Sequence, residues 1–313
     1  MSTELTGALI ALIVPLCFGS GMVFARIGLV HLPANTGNFL SLVTGWLVIA
    51  GAAVILFPNE LLGVSIGTLA WLAMIGLINF PVGRFLNFMS LSNLGVVRAN
   101  PILSIAPIVS AFEGVVFLGE EINPAIGAGT LVAVAGMIVV VWGEAKARGT
   151  TPAQPSGGGG VETVRGRPQL VGYLAAGGAA LAYGTVPVFG RVAVTELTLP
   201  LVTAVYTMLF GSLVMGAFVV RKLPRDLRAA PGRAIGLVAV GGVFMSTGVA
   251  TLYLALSKAP VVVVSPVFAL NPFVSMVLAH YFLQRLERIT FPLVAGTALV
   301  VAGVVAVMLG TQL

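Results

Sequence analysis

The sequence predicts an all-α integral membrane protein: ten transmembrane helices arranged as two inverted five-helix repeats. Three observations predict it. The 313 residues are 58% hydrophobic and only 8% charged, with a mean hydropathy of +1.08, whereas a water-soluble globule carries about 25% charged residues. Ten apolar runs of about 20 residues, the length that crosses a bilayer as a helix, follow one another along the chain. The second half repeats the first at an offset of 165 residues.

Broken at Pro, Gly and charge clusters, the runs fall at 5–29, 36–57, 67–90, 96–118 and 124–143, then at 169–193, 199–220, 233–256, 261–283 and 290–311. The first run starts after Glu4 with no basic residues before it and continues past Gly19, so it reads as a retained span and not a cleaved signal peptide. Between the fifth and sixth lies 144–168, whose Thr150–Ser156 and Gly157–Gly160 stretches read as a flexible linker. The domain division is therefore a first repeat at 1–143, a linker at 144–168 and a second repeat at 169–313.

The offset lines up Gly7 with Gly172, Gly19 with Gly184, Phe24 with Phe189, Arg26 with Arg191, Pro101 with Pro266, Pro107 with Pro272 and Phe117-Leu118 with Phe282-Leu283. After a two-residue slip, Ala128-Gly129-Thr130 matches Ala295-Gly296-Thr297. Five spans per half is an odd number, so the second copy enters the membrane from the opposite face. That inverted arrangement lets one scaffold open alternately to either side.

Composition also excludes function classes. Net charge +6 and pI ≈ 10.0 would raise nucleic-acid binding in a soluble protein, but here the cations sit in a few loops and read as topology signals. A single cysteine, Cys17, excludes an internal disulfide, and with only His31 and His280 besides, no metal site is expected. No Walker loop is present, so direct ATP drive within this chain is excluded. No cofactor is expected. The partners are a small-molecule substrate and the lipid bilayer, not nucleic acid, and the sequence leaves the oligomeric state open, a monomer included.

Each half opens Phe18-Gly19-Ser20 or Tyr183-Gly184-Thr185 and contains a Pro-bearing fourth helix, Ala106-Pro107 or Asn271-Pro272; the first ends Phe117-Leu118-Gly119-Glu120. In this the chain resembles the drug/metabolite transporter superfamily, EamA type, over nearly its whole length. The second copy departs at Leu283-Gln284-Arg285. The resemblance implies ten helices around a cavity and transport of amino acids or other small metabolites, sugar phosphates and nucleotide sugars among them.

Loop charge predicts orientation. The face opposite the N-terminus collects eleven cations: Lys146, Arg148, Arg165, Arg167, Arg221, Lys222, Arg225, Arg228, Arg233, Arg285 and Arg288. Basic loops stay cytoplasmic, so both termini are expected outside the cell (inner) membrane, against the orientation that the resemblance implies.

An ionisable side chain in the hydrocarbon core costs at least about 2.5–3.5 kcal/mol, so each is a functional candidate. Arg84 in the third span and Glu113 in the fourth are the clearest, and neither has a charged counterpart in the second half, where Val249 and Leu278 stand. Two readings stay open: they neutralise each other, or Arg84 binds a substrate carboxylate or phosphate bidentately while Glu113 carries the coupling proton. Asn79, Asn87 and Asn100 add amides to that wall. Asn87 shares a helical face with Arg84, whereas Asn79 would stand about 140° away on a regular α-helix. Asn271, Tyr183, Tyr253 and Phe88 complete the candidate binding set. Pro101, Pro107, Pro266 and Pro272 break the fourth and ninth spans in matching places, which points to a site between the third, fourth, eighth and ninth spans, closed by the first and sixth. Arg26 and Arg191, at span ends, read as headgroup-seeking side chains. Trp46, Trp71 and Trp142 read as lipid-facing or interfacial anchors.

The function so predicted is secondary active export of a small metabolite, an amino acid or other carboxylate-bearing compound, by alternating access. Transport of a sugar phosphate, nucleotide sugar or cationic drug, or intramembrane enzyme chemistry, are the alternatives. The last has no clustered nucleophile, base or metal group to support it, so no enzyme activity is expected.

Overall fold

The computed structural model describes residues 3–94, 102–149, 167–271 and 291–311, with 274, 277 and 278 between the last two segments. Among the described residues every element is helical. Among those residues, six apolar helices are long enough to cross a membrane: Thr3–Ala25, Ala34–Leu56, Ile66–Asn87, Leu170–Leu197, Pro200–Val219 and Gly232–Leu256. Shorter apolar stretches, Ala106–Leu118, Pro124–Val140, Val261–Leu270 and Val294–Gly310, fall in the other four expected spans.

The first span is two helices, α1 (Thr3–Ala11) and α2 (Ile13–Gly28). The break falls where Pro15 lacks the N–H that would bond the Ala11 carbonyl. Helix α3 (Ala34–Leu56) follows, then a short α4 (Pro58–Leu62), then α5 (Ile66–Leu77), which runs through a π-helical turn at Ile78–Gly83 into α6 (Arg84–Leu94). Pro81 lies inside that turn. The fourth span resumes after a turn at Ser104-Ile105 as α7 (Ala106–Leu118), with Pro107 in its first turn, where the missing N–H is harmless. It ends on Gly119 at φ 65°, a left-handed cap that favours glycine.

Helix α8 (Pro124–Gly149) extends past the expected span, and α9 (Arg167–Val192) begins at Arg167, so 144–149 and 167–168 of the expected linker are helical. The remainder, 150–166 with Gly157–Gly160, lies outside the described residues. A π-helical turn at Ala193–Leu197 closes the sixth span; α10 (Pro200–Val219), a short α11 (Leu223–Ala229) and α12 (Gly232–Leu256) follow. The ninth span starts as α13 (Val261–Val264) and changes to a 3-10 turn at Ser265–Leu270, with Pro266 at its start. The last element is α14 (Phe291–Gly310).

Glycine sets how these helices meet. On α8 and α14, Gly129 faces the backbone of Gly303 and Gly136 that of Gly296, so closely that an added Cβ would stand 2.6 Å from either carbonyl oxygen. The order of contacts makes the two helices antiparallel. Gly21 lies on Gly241 and Gly28 on Ala234, so α2 and α12 are antiparallel too. Without a hydrophobic drive between helices in lipid, such backbone contact is what holds them. The α9 helix packs on α6 and α7, and α10 on α3 and α5.

Two tryptophans correct the sequence reading. Trp46 donates to the Val205 carbonyl (3.1 Å) and Trp71 to that of Phe189 (3.1 Å). An indole N–H in hydrocarbon needs an acceptor, and a neighbouring helix supplies it, so these residues join helices and are not lipid anchors. Trp142 is 63% exposed, as a lipid-facing residue would be.

On the face carrying the N-terminus, the end of α12 and the start of the ninth span are tightly packed. Ala255, Leu256, Ala259 and Val261–Val264 are 0–1% exposed, and Gly7 lies against Ala259. Glu120 lies across this packed region. Its Oε1 accepts from the Val261 N–H (2.7 Å) and its Oε2 from that of Val262 (2.9 Å), so a carboxylate of the first half caps a helix of the second. Gly114 leaves the room: a Cβ there would meet Glu120 Oε2 at 2.8 Å. Arg191, expected to reach for headgroups, instead donates to the Leu256 carbonyl beside Glu120 and Glu4. The side chain of Arg26 lies outside the described residues.

Candidate functional site

Between these helices lies a cavity of about 370 Å³. Its wall takes Phe18 from α2, Asn79 from the π-helical turn, Ser104 and Leu103 ahead of α7, Pro107 and Ser110 from α7, and Met137 from α8. The other half adds Tyr183, Val186 and Pro187 from α9, Val249, Leu252 and Tyr253 from α12, and Phe268 and Asn271 from the ninth span. None of the described lining residues is charged. The wall is aromatic and aliphatic, with two amides and several hydroxyls.

Two of the lining residues are prolines, one in the first turn of α7 and one inside the continuous helix α9. Pro107 removes the donor to the Leu103 carbonyl and Pro187 the donor to that of Tyr183, and all four residues line the cavity. Unbonded backbone at membrane depth is tolerated where it lines a cavity. Ser110 Oγ donates to the Gly184 carbonyl (2.7 Å), and Gly184 sits against Val109 and Ala106, so α7 and α9 touch beside the site. The two aromatics at equivalent places in the halves, Phe18 and Tyr183, each lie on a glycine of the other half. A Cβ on Gly248 would stand 3.1 Å from the Phe18 ring, and one on Gly83 would stand 2.8 Å from that of Tyr183. Tyr253 is 1% exposed, rests on Gly190 and reaches Thr207 Oγ1 at 3.5 Å.

Five of the residues singled out from the sequence line the cavity: Asn79, Tyr183, Tyr253, Asn271 and Pro107. Arg84 and Asn87 do not. They stand one turn apart on α6, near Tyr183, which does line the cavity. The Asn87 Oδ1 atom is buried without a hydrogen-bond partner. The 140° separation of Asn79 and Arg84 no longer applies, because the π-helical turn between them takes five residues per hydrogen-bonded turn where an α-helix takes four. Pro266 is buried at the start of the 3-10 turn. Asn100, Pro101, Pro272 and the side chain of Phe88 lie outside the described residues.

Glu113 also stands away from the lining. It faces the seam of α7 and α9, where the Thr185 hydroxyl donates to its Oε1 (2.8 Å) and also lies 2.9 Å from the Leu181 carbonyl. Its Oε2 is buried without a hydrogen-bond partner. Arg84 and Glu113 form no ion pair with each other among the described residues; the hydrogen-bond partner of Glu113 is Thr185.

Sequence reasoning passed over Phe18, Ser104, Ser110, Pro187 and Phe268. Two had a signal: Phe18 is Tyr183 displaced by 165 positions, and Pro187 is a proline inside an apolar run. Glu120 was noted only as part of a motif, and its partners lie about 140 residues away.

The described residues thus define a multi-pass, all-helical membrane protein with an uncharged internal cavity between helices that break at prolines. The chain belongs to the EamA-like transporter family, whose model matches residues 5–142 and again 170–309. It is therefore a membrane transporter of small molecules. A solved structure described as "Crystal structure of protein" shares the fold, with a TM-score of 0.74 and 19% identity over 100% of this chain and 99% of that one. No curated protein matches this sequence significantly.

Proposed function

We propose that this protein is a secondary active exporter of a small carboxylate-bearing metabolite, an amino acid above all, working by alternating access. In this reading ten spans form two inverted repeats, 1–143 and 169–313, joined by the 144–168 linker, with both termini outside the inner membrane. The observation that carries the reading is the cavity itself, whose described lining residues are drawn from both halves and include no charged side chain. A volume of about 370 Å³ sits at the lower end of the roughly 300–1,000 Å³ range of small-molecule sites, which favours a single small metabolite over a nucleotide sugar. The described wall offers no Lys or Arg for a phosphate, but its amides, hydroxyls and freed carbonyls suit the two ends of a zwitterion.

Arg84 then acts from outside the lining, its positive charge beside Tyr183 favouring a carboxylate in the cavity. Asn79, Asn271 and the Tyr183 hydroxyl make the contacts, with Tyr253 flanking. Thr185 fits Glu113 for a coupling proton. Its hydroxyl can donate to the ionised carboxylate, or accept from the protonated one while donating to Leu181. The antiparallel pairing of α8 with α14 and of α2 with α12 supports the inverted arrangement, and the packed terminal face supports one closed gate.

Counterflow in proteoliposomes tests the reading, with internal amino acids, organic acids and sugar phosphates offered in turn. An amino acid is expected to drive uptake of its labelled self, and sugar phosphates are not. Counterflow with sugar phosphates alone would overturn the substrate assignment; counterflow with none of these classes would overturn both substrate class and mechanism.

A further inference from the structure

Two short surface helices, α4 and α11, occupy matching places in the halves. Displacement by 165 positions puts Pro58 on Leu223, Glu60 on Arg225 and Leu61 on Asp226. Each is pinned at that last position to the other half: the Leu61 carbonyl accepts the Tyr206 hydroxyl of α10 (2.7 Å), and the Asp226 carboxylate accepts the Thr36 hydroxyl of α3. Their chemistry is opposite. From Phe57 to Ser65 the only charge is Glu60, whereas α11 and its flanks carry Arg221, Lys222, Arg225, Arg228 and Arg233, all exposed.

The fold builds this helix without a single cation in the first half, so the five in the second are not there to build it. The one carboxylate among them, Asp226, is turned to Thr36, and among the described residues none of the five cations forms an ion pair. Leu223 and Leu227 are half-buried, and α11 is tied closely between the ends of the apolar helices α10 and α12. The cations are thus held at the height where a bilayer places its headgroups.

We propose that α11 and its flanking cations form a binding site for acidic phospholipid headgroups. Guanidinium forks match phosphate oxygens bidentately, and a Lys or Arg at an anionic surface contributes about fivefold in affinity. Because Asp226 ties α11 to the start of α3, a lipid held there is linked to the contact between the halves. The inference does not rest on the transport reading.

The test uses the full chain in uncharged detergent, titrated with short-chain phosphatidylglycerol and with phosphatidylcholine of the same chain length. Inorganic phosphate serves as a competitor. The wild type should bind phosphatidylglycerol at least about 25-fold tighter than phosphatidylcholine. Arg225→Gln/Arg228→Gln should lower the former by about 25-fold and leave the latter unchanged, following the fivefold step per cation. Glu60→Gln on the mirror helix should change neither, and high salt should abolish the preference. Unchanged phosphatidylglycerol affinity in the double variant overturns the proposal. So does displacement of the lipid by millimolar phosphate, which would make this a site for the free anion. Should the double variant lose its monodisperse state, the single variants decide, each expected to show about a fivefold loss.

Discussion

Removing the Glu120 carboxylate should loosen the packed face of the bundle by a computable amount. Its two oxygens accept from the Val261 and Val262 N–H groups at 2.7 and 2.9 Å, and those valines are 0% and 1% exposed, so water does not replace the acceptor. A hydrogen bond to a charged group contributes about 1.5–3 kcal/mol. Glu120→Ala strands both donors and should destabilise by about 3–5 kcal/mol, discounting for the half-buried carboxylate regaining water in the unfolded chain. Glu120→Gln keeps one carbonyl acceptor and turns an amide N–H toward the other donor, so about 1.5–2.5 kcal/mol should go. Unfolding followed by intrinsic fluorescence in a graded mixture of uncharged and denaturing detergent reads the order directly: wild type, then Gln, then Ala. An Ala variant within about 0.5 kcal/mol of wild type, below the scale of a single bond, would refute the capping argument. So would a Gln variant as stable as wild type that had lost transport, because that outcome makes the carboxylate a transport group and not a tether.

Three further outcomes follow from the same geometry. Because Arg84 and Glu113 are unpaired with each other, Arg84→Met/Glu113→Gln should be no more stable than the less stable single variant; a double variant recovering about 3 kcal/mol would restore the ion pair. Glu113→Gln should retain substrate binding in a ligand thermal-shift assay and lose uphill transport, with downhill exchange remaining; unimpaired uphill transport would remove Glu113 from the coupling step. Cysteines at Ser156 and Gln312, placed in a chain lacking Cys17, should react with an impermeant thiol reagent in intact cells only at 312; reaction at 156 alone would reverse the orientation.

Membrane class, the six long apolar helices, the doubled family pattern and the change of helix type at Pro266 were legible in the sequence. Bilayer partitioning sums over consecutive residues, and a proline acts on the carbonyl one turn before it, so both can be read within a single span. That is why Pro107 and Asn271 were marked from the sequence and line the cavity, and why the break in the first span follows from Pro15. Neighbours drawn from different spans were not legible. Trp46 meets Val205, Glu120 meets Val261 and Glu113 meets Thr185 across 159, 141 and 72 residues, and no periodicity within one helix encodes such a partner. Arg84 shows the limit most sharply. A helical wheel assigned its angle to Asn79 on α-helical spacing, but the π-helical turn around Pro81 changed that spacing, and Asn79 and Tyr183 from the other half line the cavity where Arg84 does not. Local chemistry determined where the chain could bend and what it could dissolve in. Only the packing of one half on the other decided which polar atoms reach the cavity and which are held behind it.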